Sequence, residues 1–238
     1  MDIFVVNKEE KEKADALATS LALPIKENLP EKGDFFLFYH NQKLYLQSIR
    51  HPEFKAFCLD FLSPEMLRKK ATAATSKDLL IKAVGAVKKR PKILDCTLGL
   101  GVDSFLLMAR NCEVWACERN KILSALWRDA AARANLQNIR FIDEDAKLFL
   151  KNTKENFDIL YLDPMYPEKR KTAPKKEMLL LRELLGGDDD ADKLFSCAWE
   201  KARERVVVKR PIHAEYLAGE KPVIQYRGKS IRYDVYLK

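Results

Sequence analysis

The feature that most restricts the fold of this chain is a regular alternation of short apolar runs and helical patterns, which begins near residue 90. The apolar runs have the length and β-branched content of buried strands, and the segments between them repeat apolar residues at helical spacing. The runs are residues 92–97, 113–118, 139–143, 158–163 and 205–209. Repeated β-α-β units predict a mostly parallel sheet with helices on both faces. Residues 223–227 and 231–237, separated by Gly228-Lys229-Ser230, predict an antiparallel hairpin that closes this α/β sheet.

The first 60 or so residues carry a different pattern. Residues 8–21 predict a helix, and residues 35–39 and 43–47 predict a hairpin whose turn lies at His40-Asn41-Gln42. We therefore expect three parts in the chain: a small α+β N-terminal subdomain (residues 1–63), a helical basic connector (residues 64–90) and an α/β domain (residues 91–238). Within the α/β domain, helices are predicted over residues 103–110, 120–134, 175–185 and 190–204.

Composition limits the class of protein. The chain of 238 residues is 47% hydrophobic and 33% charged, as soluble globular proteins are. No apolar run approaches the roughly 20 residues that cross a bilayer, and the first residues lack a basic-then-apolar export signal, so we expect a cytoplasmic protein. The five cysteines form no C-x-x-C pair and are expected to be reduced thiols, and the three histidines are too scattered to suggest a metal site. The net charge of +8 is compatible with a nucleic-acid partner but does not require one.

A cofactor site is predicted where the strand runs end. The first run reaches Asp95 and continues through Gly99 and Gly101, in the form D-x-x-x-G-x-G. Glycines after a first strand let the backbone approach a ligand closely, at the edge where open parallel sheets bind ligands. Glu118 ends the second run, where a carboxylate can accept two hydrogen bonds from a ribose diol. Asp145 closes the third run, near the expected position of an adenine amino group.

Two nucleotide cofactors compete for this pattern. A dinucleotide prefers G-x-G-x-x-G, but Ser104 occupies the third glycine position, and Asp103 would face a pyrophosphate. S-adenosylmethionine carries a sulfonium and an ammonium instead, which Asp95 and Asp163 can attract. We therefore favour S-adenosylmethionine over NAD, and a purely structural sheet edge is the remaining alternative.

The segment that follows the fourth run reads Asp163-Pro-Met-Tyr-Pro167 and resembles the [D/N]-P-P-[F/Y] motif of enzymes that methylate base amines. The amino group of guanine or adenine is a poor nucleophile because its lone pair is delocalised into the ring. Asp163 and the Pro164 carbonyl can accept hydrogen bonds from that amine, and Tyr166 can stack on the base. Asp-Pro and Tyr-Pro also mark ordinary turns, so a purely structural turn stays open as an alternative.

Several segments, taken in order, resemble a known family; they are residues 98–103, 117–120, 162–167, 175–178 and 206–211. Together they are similar to the RsmJ family of bacterial small-subunit ribosomal RNA guanine-N2 methyltransferases, and the resemblance extends over roughly residues 60–238. Met165, where many amine methyltransferases have a second proline, favours this family over enzymes that act on DNA adenine.

The resemblance implies a Rossmann-like class I fold, dependence on S-adenosylmethionine, and methyl transfer to N2 of a guanosine near the 3′ end of 16S ribosomal RNA. It implies cofactor contacts by position in the matching motifs; these are Val102, Asp103, Glu118, Arg119, Asp145, Ala146 and Asp163. Val102 stands where an arginine is common in the family, so only its backbone is carried over. The implied partner is 16S ribosomal RNA or the small ribosomal subunit.

Basic clusters near these motifs are candidates for contacts with RNA phosphates. They are Arg68 and Lys69 in the connector, Lys169, Arg170, Lys171, Lys175 and Lys176 after the Asp-Pro motif, and Lys209 and Arg210 at the end of the fifth run. Solubility is the alternative role of these charges. Two other functions stay open: the same chemistry on transfer RNA guanine or DNA adenine, and a non-catalytic RNA-binding protein of ribosome assembly. The pattern does not indicate an oligomeric state.

Overall fold

The computed structural model describes residues 3–6, 10–29, 31–75, 77–165, 176–185, 187 and 190–238. The strands are β1 (Ile3–Val6), β2 (Ile25–Lys26), β3 (Phe35–His40), β4 (Lys43–Ser48), β5 (Lys92–Asp95), β6 (Glu113–Cys117), β7 (Ile139–Ile142), β8 (Phe157–Leu162), β9 (Ala202–Pro211), β10 (Ile224–Arg227) and β11 (Ile231–Leu237). The α-helices are α1 (Lys11–Leu21), α2 (Pro64–Ala73), α3 (Leu79–Ala83), α4 (Val102–Ala109), α5 (Lys121–Arg133), α6 (Ala146–Asn152), α7 (Lys176–Leu185) and α8 (Ala191–Lys201).

The chain forms two compact units that alternate along the sequence. The first unit comprises Met1–Phe61, Asn120–Asn135 and Glu168–Gly186, and the second comprises Leu62–Arg119, Leu136–Pro167 and Gly187–Lys238. The three parts expected from the sequence, with boundaries at residues 63 and 90, stay a prediction.

The first unit contains a four-stranded sheet in the order β2-β1-β3-β4. The predicted hairpin is β3 and β4, which pair antiparallel, and β1 pairs with β3 in parallel. The predicted helix is α1, whereas β1 and β2 were not predicted. In α5, the Asn120 side chain accepts hydrogen bonds from the backbone N–H groups of Ile122 and Leu123 at 2.9 and 3.1 Å, so it caps the helix. The same unit joins α5 to the N-terminal segment, because Arg133 pairs with Asp129 at 2.9 Å and with Asp60 at 3.4 Å.

The second unit contains a seven-stranded sheet in the order β10-β11-β9-β8-β5-β6-β7. Strands β5 to β9 are parallel to one another, and β11 is antiparallel to both β9 and β10. The mostly parallel sheet with an antiparallel C-terminal hairpin is therefore confirmed. The first strand, β5, has β6 on one side and β8 on the other, and this reversal of direction creates the crevice where open sheets bind ligands.

The central strands form because their residues are apolar on both faces. Val206, Val207 and Val208 of β9 are all 0% exposed, which is the pattern of a parallel strand covered on both sides. Trp115 of β6 packs edge-on against Phe157 of β8, with ring centroids 5.3 Å apart. Strands β6, β8 and β9 share one core with α6 and α8.

The predicted boundary between the last helix and the fifth strand run differs from the structure. The helix predicted over residues 190–204 ends at Lys201, and β9 begins at Ala202 and continues to Pro211. Helix α6 was not predicted. All five cysteines are free, and Cys96, Cys112 and Cys117 are buried.

Within the described part of the chain, every helix is too short or too polar to traverse a bilayer. Among those same residues, no group of three or more histidine, cysteine, aspartate or glutamate side chains is placed to hold a metal ion.

Candidate active site

Asp95 is the last residue of β5 and is buried where the loop to α4 begins. Its side chain is 1% exposed, and its two carboxylate oxygens accept hydrogen bonds from the Thr97 backbone N–H at 3.0 Å and the Ser104 hydroxyl at 2.7 Å. Burial raises the pKa of Asp95 to about 7, although both hydrogen bonds oppose this rise. Ser104, which weakens the dinucleotide pattern, thus has a definite structural role, because it closes the loop onto Asp95.

The glycines of this loop adopt conformations that other residues avoid. Gly99 and Gly101 have φ angles of +55° and +70°. A Cβ atom on Gly99 would lie 3.8 Å from the Thr97 carbonyl oxygen, which is an ordinary van der Waals distance, so the positive φ rather than crowding favours glycine here. The Gly99 backbone N–H donates to the Glu118 carboxylate at 2.7 Å, and Glu118 is 8% exposed immediately after β6. One hydrogen bond therefore joins the glycine loop to the acid predicted to bind a ribose.

Asp145 has a different local position from the one predicted. Strand β7 ends at Ile142, and Asp145 is instead the N-cap of α6, where it accepts a hydrogen bond from the Lys147 backbone N–H at 2.8 Å. Arg119 reaches both Asp145 and Asp190, with N–O distances of 3.4 and 2.9 Å. The hydrogen bond from the Lys147 side chain, assisted by Arg119, lowers the pKa of Asp190 to about 2. Asp190 was missed in the sequence, where it belongs to an acidic run with no motif around it.

Asp163 lies directly beyond the end of β8 and is fixed at two points. Its backbone N–H donates to the Thr97 hydroxyl at 2.6 Å, which ties it to the β5–α4 loop. Its carboxylate lies 2.7 Å from the Lys209 ammonium, and its side chain is 38% exposed. Pro164 is buried. The segment predicted to bind the amine thus starts next to the β5–α4 loop, and its role stays a prediction.

Lys209 has an environment that the sequence did not predict. Its ammonium lies 2.8 Å from Asp103 and 2.7 Å from Asp163. The Tyr161 hydroxyl donates to the same Asp103 oxygen at 2.5 Å. Burial by itself would lower the pKa of Lys209, but the charges of Asp163 and Asp103 raise it well above its usual range. The lysine therefore remains charged between two acids that the sequence assigned to the cofactor site.

The other predicted phosphate contacts divide into three groups. Arg210 is 1% exposed and donates to the Glu215 carbonyl at 3.1 Å, which is at odds with the predicted RNA contact. Arg68 and Lys69 are exposed on α2, and Lys69 pairs with Glu65 at 2.8 Å. Tyr166, Lys169, Arg170, Lys171 and Lys175 lie outside the described residues, and Lys176 is the first residue of α7.

Comparison with known proteins identifies the family. The chain matches the SAM_MT family, whose members are SAM-dependent methyltransferases, over residues 17–238. It is 38% identical over 232 residues to ribosomal RNA small subunit methyltransferase J of Coxiella burnetii, covering 94% of this chain and 91% of that protein. The chain belongs to the methyltransferase J family. The protein of the same name from Haemophilus influenzae is 34% identical, covering 96% of this chain and 93% of its own.

A solved structure supports the same assignment. A SAM-dependent methyltransferase from Neisseria gonorrhoeae has 29% sequence identity and a TM-score of 0.75, with 99% of this chain and 95% of that chain covered. Membership of the methyltransferase J family confirms the predicted resemblance, the Rossmann-like fold and the use of S-adenosylmethionine.

The residues at the sheet edge suit this cofactor. Gly99 places no side chain between its backbone and a ligand, and the Glu118 carboxylate lies next to it, at 2.7 Å from its N–H. Asp95, Asp103 and Asp163 make the surroundings acidic, which suits a sulfonium and an ammonium better than a pyrophosphate. In this methyltransferase J member, strand order alone brings together acids that are far apart in the sequence.

Proposed function

We propose that this protein transfers a methyl group from S-adenosylmethionine to the N2 amine of a guanosine near the 3′ end of 16S ribosomal RNA. The observation that carries the proposal is the attachment of Asp163 to the glycine loop through the 2.6 Å hydrogen bond to Thr97. This bond holds the Asp-Pro step at the cofactor side of the sheet. The names of the relatives, which are ribosomal RNA small subunit methyltransferases, favour the same substrate.

The residues of the Asp-Pro step fit the chemistry of an aromatic amine. The bound cofactor supplies an electrophilic methyl group. The carboxylate of Asp163, which is 38% exposed, can accept a hydrogen bond from the amine and orient its lone pair. The Pro164 carbonyl would accept the second amine hydrogen, and Tyr166 would stack on the base. The enzyme's contribution is then mainly positioning and electrostatic stabilisation.

The proposal also assigns the binding residues. Glu118 would hold the ribose of the cofactor, while the backbone of Val102 and Asp103 and the side chain of Asp95 would surround its methionine part. Arg119, Asp145 and Ala146 would border the adenine. The basic residues after the Asp-Pro motif would bind RNA phosphates, so binding should weaken steeply as salt concentration rises. A cytoplasmic location is part of the proposal, because its substrate is there.

Labelled S-adenosylmethionine tests the substrate directly. The purified protein is incubated with naked 16S RNA, small ribosomal subunits, transfer RNA or DNA, and the products are digested to nucleosides and identified by mass. Formation of N2-methylguanosine in 16S RNA, free or assembled, supports the proposal, and its position follows from mass mapping in a deletion strain. Methylation confined to transfer RNA or DNA would show that this nucleic acid, and not 16S RNA, is the substrate. RNA binding without methylation or cofactor affinity would favour a non-catalytic assembly factor.

A pair of variants on one strand tests the role of Asp163. Asp163→Ala should abolish methyl transfer while thermal unfolding remains close to that of the unmodified protein. Asp158→Asn is the matched control, because Asp158 lies at the opposite end of β8 and accepts a hydrogen bond from the Lys92 backbone at 2.9 Å. Normal turnover by Asp163→Ala would overturn the assignment.

A further inference from the structure

We propose that Lys209 is a positioning residue for methyl transfer, which fixes the direction of the Asp163 carboxylate, rather than a contact for RNA phosphate. This inference rests on the proposed function, because it requires an amine for Asp163 to orient.

The surroundings of Lys209 oppose a role in phosphate binding. Its side chain is 23% exposed on β9, and its ammonium is within 2.8 Å of both Asp103 and Asp163. An ammonium in contact with two carboxylates presents little net positive charge to a polyanion, because the two acids offset it. The adjacent Arg210 is buried as well.

The position of Lys209 links the elements that carry the site. Asp103 lies in the first turn of α4, and Asp163 follows β8. Lys209 comes from the neighbouring β9, where it stands opposite Tyr233 of β11 in the strand register. A single ammonium thus connects a helix N-terminus and two strands at one edge of the sheet.

Two further hydrogen bonds hold the two acids that Lys209 contacts. The Tyr161 hydroxyl donates to the Asp103 oxygen that Lys209 contacts, which holds the first acid. The Thr97 hydroxyl accepts the Asp163 backbone N–H, which holds the main chain of the second. With the main chain held in this way, the contact with the Lys209 ammonium restrains the direction of the Asp163 carboxylate.

The positive charge of Lys209 also offsets the repulsion between the neighbouring acids. Asp95, Asp103 and Asp163 are close enough that, after burial, the charges of the other two acids raise the pKa of Asp95. Without Lys209, Asp103 and Asp163 would repel each other and turn apart. Arginine keeps the charge, but its planar guanidinium is larger than an ammonium and cannot occupy the same bridging point without displacing one acid.

Steady-state kinetics of Lys209→Met and Lys209→Arg test the inference. We expect Lys209→Met to lower kcat by about 100-fold, as misplacement of a reacting group does, and Lys209→Arg to give an intermediate kcat. In both variants, the KM for RNA and the salt dependence of that KM should stay within about twofold of the values for the unmodified protein. Lys151→Met, on the exposed face of α6, is the control for loss of a lysine charge.

A double-variant comparison shows whether Lys209 acts through Asp163. In an Asp163→Asn background, which keeps the size of the side chain but removes its charge, Lys209→Met should lower the remaining kcat by no more than about threefold. A full 100-fold further loss would overturn the inference, as would a normal kcat combined with a raised KM for RNA and a shallower salt dependence. If Lys209→Met does not fold, Lys209→Arg and its Asp163→Asn double variant give the same comparison.

These outcomes are separate from the test of the proposed function. The unmodified protein is first assayed on each nucleic acid. If the proposed substrate is wrong, this first assay shows it before any variant is measured. The variants are then assayed on whichever nucleic acid is methylated. The inference about Lys209 is then judged only from the kcat and KM values of the variants relative to the unmodified protein.

Discussion

Replacing Asp95 by asparagine should stabilise the fold more at pH 8 than at pH 5. Burial raises the pKa of this carboxyl from its ordinary value of 3.8 to about 7. A raised acid pKa means that the folded state favours the protonated form, so stability is greatest below pH 3.8 and falls as the pH rises to about 7. At 1.36 kcal/mol per pKa unit, ionisation of Asp95 opposes folding by about 2 kcal/mol at pH 5 and about 4 kcal/mol at pH 8.

The assay is urea unfolding without cofactor at both pH values. Asparagine has the shape of the protonated acid and cannot ionise, so the gain from Asp95→Asn should be about 2–3 kcal/mol larger at pH 8 than at pH 5. Subtracting the unmodified protein from the variant at each pH cancels the titration of the other groups, and the difference between the two pH values then removes any pH-independent effect of the substitution.

Ser104→Ala provides the opposite control. The Ser104 hydroxyl donates to Asp95 and lowers its pKa, so its removal should reduce stability more at pH 8 than at pH 5. The reasoning would be refuted if Asp95→Asn changed the free energy of unfolding equally at both pH values, or destabilised the protein more at pH 8. Asp95→Asn should also bind S-adenosylmethionine more weakly. The variant lacks the buried negative charge of Asp95, which opposes folding but attracts a cationic ligand.

Three further predictions concern the loop and the helix next to it. Gly99→Ala should lower the free energy of unfolding by about 1–2 kcal/mol, because its φ of +55° strains any residue with a Cβ; urea unfolding measures this, and an unchanged midpoint would contradict it. Glu118→Ala should weaken S-adenosylmethionine binding at least tenfold in calorimetry, as about 1.4 kcal/mol or more is lost with the ribose acceptor; an unaltered affinity would place the ribose elsewhere. Asn120→Ala should cost about 1 kcal/mol in urea unfolding and Asn120→Asp much less, since aspartate also caps helices; equal losses would show that the cap contributes little.

Local pattern was sufficient to predict much of the fold. The run Val206–Val208 is apolar on every residue and could be recognised as a buried strand without knowledge of its neighbours. Asp95, Glu118 and Asp163 could be placed at one edge because parallel strands end on the same side of a sheet. Asn120 stands at the start of the helix predicted over residues 120–134 and is of a residue type that caps helices.

The remaining features depend on contacts between distant residues. Strand β1 has only four residues and pairs with β3, some 30 residues later, so nothing local indicates it. Residues 202–204 favour a helix by composition, but Ala202 pairs with Phe157 of β8 and continues the sheet. Lys209 looked like part of a basic cluster because the acids that surround it lie 106 and 46 residues away in the chain.

The strand order also has a consequence for biosynthesis. Strand β11 lies between β9 and β10, although it follows both in the chain. As the chain leaves the ribosome, β9 emerges with one edge unpaired, and it stays so until about 20 more residues have been made. Because Tyr233 of β11 stands opposite Lys209, the surroundings of that lysine are completed only then. A nascent chain that already contains Asp95, Asp163 and Lys209 would therefore still lack the strand that lies beside Lys209, and would expose an open strand to aggregation during that interval.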